Sequence, residues 1–256
     1  MSISHGNFDN LADNYNKYRP DYSPDILQSL LKMHNGFNLS VADIGAGTGI
    51  WTRMLQKSDK IKNLYAVEPS SNMKEQGQNH EKNGSIKWIS GTAENSNLSS
   101  NNFDIVTMAS SFHWANFDLA TREFHRILKD NGIFCALWNP RYIDDNPLLL
   151  DIEHKIVDLN PNIKRVSSGK SKFVEELTRK FENNKQFKDL KYIEAIHTIT
   201  MSKEQYLGAW MSVNDIQFQL GEKFTIFIDY IKDKTSDLDF IDAKYITRAW
   251  IVKKAL

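Results

Sequence analysis

The stretch "VADIGAGTGIWT", residues 41–52, sets Gly45, Gly47 and Gly49 at alternate positions directly after an apolar run that carries Asp43. "SVADIG" reads as a short buried strand and "TGIWTRMLQKS" as a helix with Ile50, Met54 and Leu55 on one side. The glycines therefore fall in a strand-to-helix turn. Glycine there lets a ligand approach the main chain without a Cβ in the way. A tight turn with no ligand at all is the other reading. The spacing is G-x-G-x-G, not the G-x-G-x-x-G of dinucleotide folds.

Working outward, the chain alternates. "NLYAVEP" is a second strand, "SSNMKEQGQNHEK" a polar surface helix, "IKWISG" a third strand and "FDIVTMA" a fourth. "NFDLATREFHRILKD" is a helix with Leu119, Phe124, Ile127 and Leu128 at helical spacing, and Asn131-Gly132 turns into a fifth strand, "IFCALW". Strands alternating with helices predict a parallel sheet covered on both faces. Upstream, Ser23-Pro24 opens a helix carrying Ile26, Leu27, Leu30 and Leu31, and Asn35-Gly36 stops it. Residues 5–24, rich in Tyr and Asn, read as irregular or weakly helical. After Asn139-Pro140 the rhythm breaks: 141–190 reads as mainly helical, 191–200 as a strand, 203–235 as helical again and 243–254 as a final strand. The expectation is a sheet core finished by two late strands, with a helical cap over the sheet's carboxyl edge.

Composition bounds the function. A chain of 256 residues with 14 Phe, 9 Tyr and 6 Trp can pack one large domain, or one domain with a cap. Lys plus Arg (32) equals Asp plus Glu (32), so no basic face is advertised and a nucleic-acid partner is disfavoured. Cys135 is the single cysteine, which excludes an internal disulfide and a cysteine-rich metal site; mid-strand, it is expected buried and inert. The opening "MSISHGNFDN" lacks a secretory pattern, and no run approaches the roughly 18 apolar residues of a membrane helix. A soluble cytoplasmic protein is expected.

The second strand ends in Glu68, about 20 residues beyond the glycines, where a carboxylate is placed to bond both hydroxyls of a ribose. NAD and S-adenosylmethionine both fit at this point. "VADIGAGTGIWT" followed by "YAVEPSSNM" closely resembles the class I S-adenosylmethionine-dependent methyltransferases, and within them the small-molecule (type 11-like) subgroup that methylates metabolites such as trans-aconitate. "NYNKYRPDYSPDI", "SGTAENSNL", "MASSFHWAN" and "EFHRILKDNGIF" resemble further segments of that subgroup in the same order, over about residues 8–140. "TMSKEQYLGAWMSV" resembles its later helix loosely.

The resemblance implies a doubly wound α/β fold: a seven-stranded sheet in the order 3-2-1-4-5-7-6, the last strand antiparallel, with a mainly helical cap. It implies a cofactor-binding core with an N-terminal lid segment over 1–140, a cap from 141–190 and 203–235, and late strands at 191–202 and 243–256. It places the cofactor's methionine moiety beside Asp43, Gly45, Ala46 and Gly47, its ribose on Glu68 and Pro69, and its adenine by Met73, Thr92, Ala93 and Glu94. Relatives often carry Asp where Thr92 stands, so Glu94 is the alternative partner for the adenine amine. Ala109 and Ser110 would close the cofactor site from the fourth strand. Tyr15 and Arg19 would fold over it, Arg19 pairing with the methionine carboxylate.

The reaction so implied is an in-line displacement at the methyl carbon of a sulfonium, with a neutral leaving group. Much of the rate comes from alignment and exclusion of water. A base is needed only if the nucleophile must lose a proton. His113, just past the fourth strand, is the candidate catalytic base, with orientation of the substrate as its other role. Trp114, Trp138, Arg141, Tyr142 and Trp210 are candidates for facing the substrate, with Tyr206 beside them. "ASSFHW" offers no acidic metal ligand, so no metal is expected. The expected reaction is methylation of an oxygen or nitrogen of a small metabolite by a monomer or homodimer, without nucleic acid or membrane. Methylation of RNA or protein, a nicotinamide-dependent dehydrogenase and an idle binding module are the alternatives.

Overall fold

The computed structural model describes residues 18–164 and 171–256. Helix α1 (Pro24–His34) begins at Ser23, whose hydroxyl accepts from the Asp25 N–H, and ends where Asn35 turns left-handed at φ 50°. There follow β1 (Leu39–Ile44), α2 (Ile50–Gln56), β2 (Ile61–Val67), α3 (Ser71–Asn79), β3 (Ile86–Ile89) and β4 (Phe103–Ala109). A 3-10 turn (Phe112–Trp114) leads to α4 (Phe117–Ile127), β5 (Leu128–Trp138) and α5 (Pro147–Leu159). The chain closes with α6 (Ser171–Glu182), β6 (Phe187–Ser202), α7 (Lys203–Met211), α8 (Asn214–Leu220), α9 (Lys223–Lys234) and β7 (Phe240–Lys254). One sheet holds all seven strands in the order β3-β2-β1-β4-β5-β7-β6. Neighbours from β3 to β5 are parallel, and β7 runs antiparallel to both β5 and β6. This is the expected architecture.

Alternation along the strands feeds two cores. Ala42, Ile44, Val106, Met108, Phe134 and Ala136 face one side, where α4 adds Ala120, Phe124 and Ile127. Val41, Leu64, Ile105, Cys135 and Leu137 face the other, where α1 adds Ile26 and Leu30 and α2 adds Trp51 and Leu55. A third core, Leu149, Ile152, Trp210, Ile216, Phe227 and Ile231, joins α5, α7, α8 and α9 to the start of β7. Because β6 runs parallel to β1–β5, its last residues reach their carboxyl edge. The helices that follow it therefore gather at that edge.

Several local expectations need correction. The buried stripe of α4 is Ala120, Phe124 and Ile127, so Leu119 lies one position off it and is exposed. The helix does not continue through Leu128; β5 begins there, paired to Phe103, and Asn131 (φ 66°) marks an irregularity within the strand. Helix α6, expected in the cap, sends Leu177 and Phe181 into the sheet-face core, Phe181 stacking on Phe112 at 6.0 Å. Strands β6 and β7 begin earlier than expected because they pair with each other from Phe187↔Lys254 to Ser202↔Phe240. Among the described residues no helix is long and apolar enough to cross a membrane.

Helix α3 seats on β3 through Gly77, where an added Cβ would fall 2.1 Å from Trp88 Cη2. Trp88 is held by donation from its Nε1 to Glu81 Oε2 at 3.3 Å. Gly77→Ala gains about 1 kcal/mol of helix propensity and loses about 1–3 kcal/mol to overpacking. A lowered Tm in thermal unfolding is expected. An unchanged or raised Tm would mean that Trp88 swings aside freely.

Candidate functional site

At the carboxyl ends of β1, β2 and β4 the structure opens a cavity of about 620 Å³. Such edges are where open α/β sheets take ligands. The turn after β1 forms its floor. Gly45 (φ 65°) packs so closely that a Cβ would lie 2.8 Å from Ser111 Oγ, whereas Gly47 (φ 57°) faces open space. Ala46 lies between them on the cavity wall.

Glu68, at the end of β2, is nearly buried and lines the cavity. Its Oε2 accepts from the Gly47 N–H at 2.8 Å and its Oε1 from the Ser70 N–H at 2.9 Å. Burial pushes its pKa up and the two amide bonds pull it back. Ser70 caps α3 by accepting from the Met73 N–H at 3.3 Å, which sets buried Met73 on the same wall as Pro69.

Asp43 is not on the wall but beneath it, fully enclosed. Thr52 Oγ1 and Thr107 Oγ1 donate to its two oxygens at 2.5 and 3.0 Å. Burial raises its pKa to about 7, with the Glu68 charge pushing the same way.

The loop after β3 brings Thr92, Ala93 and Glu94 to the cavity. Thr92 closes a turn on Asn95, accepting from the Asn95 N–H at 3.1 Å. Glu94 does not simply face water: its Oε1 accepts from the Asn116 N–H at 2.7 Å and ties this loop to the start of α4.

After β4, Ala109 and Ser110 line the cavity. Ser110 is left-handed (φ 54°), its N–H donating to Leu137 O at 2.7 Å. Trp114 lines the mouth, 45% exposed. His113 is turned off the wall. Trp138 Nε1 donates to His113 Nδ1 at 3.2 Å. An indole N–H only donates, so Nδ1 is the unprotonated nitrogen and the proton of the neutral ring sits on Nε2. The ring keeps an open surface, yet the protein packed around it depresses its pKa to about 4. The donor from Trp138 favours the neutral form in the same direction.

The remaining candidates do not gather here. Trp138 is buried among Phe173 and Trp250. The Arg141 guanidinium carbon sits 3.7 Å over the Trp210 ring, and its Nη2 donates to Ala209 O at 3.2 Å. Trp210 and Tyr206 are buried in the cap's own core, because α7 turns its helical aromatic stripe toward Phe227 and not toward the cavity. Tyr142 pairs its N–H with Lys244 O at 2.9 Å, off the cavity wall. Arg19 Nη2 donates to Ser212 O at 3.3 Å on the cap side. Tyr15 lies outside the described residues. Burial and the Asp43 charge raise the Cys135 thiol far above its usual range. Among the described residues no three His, Cys, Asp or Glu side chains come together as a metal site would require.

The wall also holds residues that the sequence reading did not assign. Ser70, Ser71 and Met108 stand at strand ends, and the strand-end rule alone would have found them. Tyr22 and Trp51 stand within the quoted stretches 14–26 and 41–52, and an edge-on ring contact between them brings both to the wall.

The fold and the cavity define an α/β protein with a nucleoside-sized site at its strand ends. Residues 42–136 match the family model described as a methyltransferase domain. A Saccharomyces cerevisiae protein named "Probable S-adenosylmethionine-dependent methyltransferase CRG1" is 28% identical over 149 residues, covering 55% of this chain and 50% of that protein. A Dictyostelium discoideum protein, provisionally named a methyltransferase, is 33% identical over 126 residues, covering 49% and 46%. A solved structure from Anaeromyxobacter dehalogenans, provisionally described as a type II methyltransferase, shares the fold with a TM-score of 0.68 at 14% identity, over 93% of this chain and 97% of that one. The chain spans about half the length of the curated relatives it matches. Residues 42–136 are a methyltransferase domain. The nicotinamide alternative is thereby set aside.

Two titrations follow from the site. The folded-state pKa of Asp43 lies above its unfolded value, so the native state holds this proton more tightly. Its contribution to stability is complete below about pH 4 and is lost as pH rises through about 7. Asp43→Asn keeps the shape, with one threonine hydroxyl turned to accept from the new amide, and removes that titration. The Tm difference should move in the variant's favour from about pH 5 to about pH 8, and a constant difference would refute the assignment. By side-chain NMR, His113 should titrate well below its ordinary 6.5, and Trp138→Phe should lift it; a midpoint unmoved by that change would refute the tautomer.

Proposed function

We propose that the chain is an enzyme that methylates an oxygen, or a nitrogen, of a small molecule using S-adenosylmethionine. The observation that carries this reading is Glu68, a buried carboxylate on the wall of a cavity of about 620 Å³, pinned to the Gly47 and Ser70 amides. Each oxygen has accepted one N–H and retains a lone pair, which suits the two hydroxyls of a ribose. Met73 and Ala93 would flank the base, and the Gly45–Gly47 turn, with no side chain at Gly47, would accommodate the amino-acid tail. When bound, the cofactor supplies a methyl group on a cationic sulfur whose departure needs no proton.

The chain's own part is alignment and exclusion of water. Trp114 stands at the mouth, and the small side chains of Ser110 and Ser111 line the wall beside it. His113 lies off the cavity wall and has its acceptor nitrogen occupied by Trp138, which counts against its taking a proton from a substrate. A small acceptor is supported by the size of the cavity and by balanced charge, which offers nothing to gather a polyanion. No observation favours RNA or protein as acceptor.

Calorimetric titration tests the reading. S-adenosylhomocysteine should bind and NADH should not. Glu68→Gln should weaken that binding by about ten- to a hundredfold, the worth of hydrogen bonds to a charged group. Absence of binding, or full affinity in a folded Glu68→Gln variant, would overturn it. Labelled S-adenosylmethionine with a metabolite extract, read by mass spectrometry, then identifies the acceptor.

A further inference from the structure

Glu123 lies in the buried stripe of α4, among Ala120, Phe124 and Ile127, where a carboxylate is out of place unless it is fully bonded. Four donors converge on it. Ser96 gives Oε1 both its amide N–H, at 2.9 Å, and its hydroxyl, at 2.5 Å. Arg126, one turn further along α4, donates from Nη2 to Oε1 at 2.7 Å and from Nε to Oε2 at 2.8 Å. The same guanidinium reaches Leu98 O and Ser100 Oγ, each at 2.8 Å. Burial pushes the Glu123 pKa up, but the bonds from Arg126 and Ser96 outweigh it and hold the group below the usual glutamate value, ionised at neutral pH. Every partner is a donor, so a glutamine there would set an amide N–H against one of them. Neither Glu123 nor Arg126 lines the cavity.

What they hold does line it. The loop after β3 closes on itself: the Thr92 N–H donates to Asn95 O at 2.9 Å and the Asn95 N–H to Thr92 Oγ1 at 3.1 Å. Ser96 forms the base of this turn. A Cβ on Gly91 would fall 2.7 Å from Ser96 O, so the two ends of the turn pack directly against each other. Thr92, Ala93 and Glu94 are the part that reaches the cavity wall. Glu94 is tied to α4 as well, through the Asn116 N–H. The turn therefore hangs from one helix at two points, Asn116 at its cap and Glu123 about two turns on.

Resting on the proposed function above, we propose that the Glu123–Arg126 pair is a positioning device for the cofactor's base: by gripping Ser96 it holds the turn 91–96 in its binding shape before any ligand arrives, and so sets affinity for the adenosyl group without touching it. A turn left loose would have to be ordered on binding, and that cost would be subtracted from the affinity. S-adenosylmethionine and S-adenosylhomocysteine share the base, so both feel the effect equally. The pair makes and breaks no bond in the reaction.

Two measurements on the full chain decide this, both taken well below the Tm of each variant. One is calorimetric titration with S-adenosylmethionine and, separately, S-adenosylhomocysteine; the other is hydrogen exchange of the ligand-free protein. Glu123→Gln should weaken both ligands by the same factor, about five- to thirtyfold, the worth of ordering one residue's backbone. It should also speed exchange at the Thr92, Asn95 and Ser96 amides. Ser96→Ala removes one donor and leaves the ion pair whole, so it should weaken both ligands by about two- to tenfold, the worth of one hydrogen bond. It carries the test if Glu123→Gln folds poorly. A lowered Tm with affinity and exchange unchanged would make Glu123 a structural residue only and overturn the assignment, as would unequal weakening of the two ligands. Failure of wild type to bind either ligand would overturn the proposed function itself, a separate and recognisable result.

Discussion

The buried carboxyl of Asp43 is the constraint from which the site is built. A polar group in that position must be fully hydrogen-bonded, because an unsatisfied one costs several kcal/mol, on the order of 2–7. The two threonines that satisfy it come from different elements: Thr52 from the first turns of α2 and Thr107 from β4. One side chain thus locks β1 to the helix that follows it and to the neighbouring strand. The intervening turn has both ends fixed in space, and Gly45 and Gly47 trace the short path between them. Substitution of either threonine would strand one Asp43 oxygen in an apolar interior, so the three residues act as one device.

Glu68 shows the complementary economy. It is held by the Gly47 and Ser70 amides, one from the turn after β1 and one from the cap of α3. The same two bonds that make its burial tolerable also aim it. A carboxylate with one lone pair spoken for on each oxygen presents the other two in a fixed fork, ready for a diol without reorganisation. Burial raises its pKa and the amides lower it, so the group's charge is set by geometry and not by access to water. Its structural role and its proposed binding role coincide because strand ends are where main-chain donors run out of partners.

Much of this was legible in the sequence because it is local. Strand and helix periodicity, the Ser23 cap and the Asn35 stop are all short-range signals. So are the glycine turn and the acid after β2. The cavity wall follows from the rule that ligands lie at the ends of parallel strands. The failures share a physical cause as well. Trp138, Trp210, Arg141 and Tyr142 stand out in the sequence as large or charged residues in or near the expected cap, and none of them lines the cavity. The cap is long enough to need its own core, and α7 spends Tyr206 and Trp210 on it. Arg141 follows Trp210, its guanidinium stacked on the ring. Conversely, Tyr22 enters the cavity because the segment before α1 sets its ring edge-on against Trp51 of α2, a contact between residues far apart in sequence. Asp43 sits one residue before the edge, and alternation alone points it into the protein and away from a ligand.

A cap with a closed core of its own changes where selectivity must come from. Helices α5, α7, α8 and α9 bury their apolar faces against each other and against the start of β7, and none of the residues that line the cavity comes from them. Among the described residues, Tyr22, Ser110, Ser111 and Trp114 complete the wall, and they belong to the segment before α1 and the loop after β4. These are one charge-neutral aromatic face at the mouth and a few hydroxyls within. In the proposed function that chemistry would orient a small acceptor by shape and by hydrogen bonds to oxygen, and would leave the transfer itself to proximity, which suits a displacement whose leaving group needs no acid.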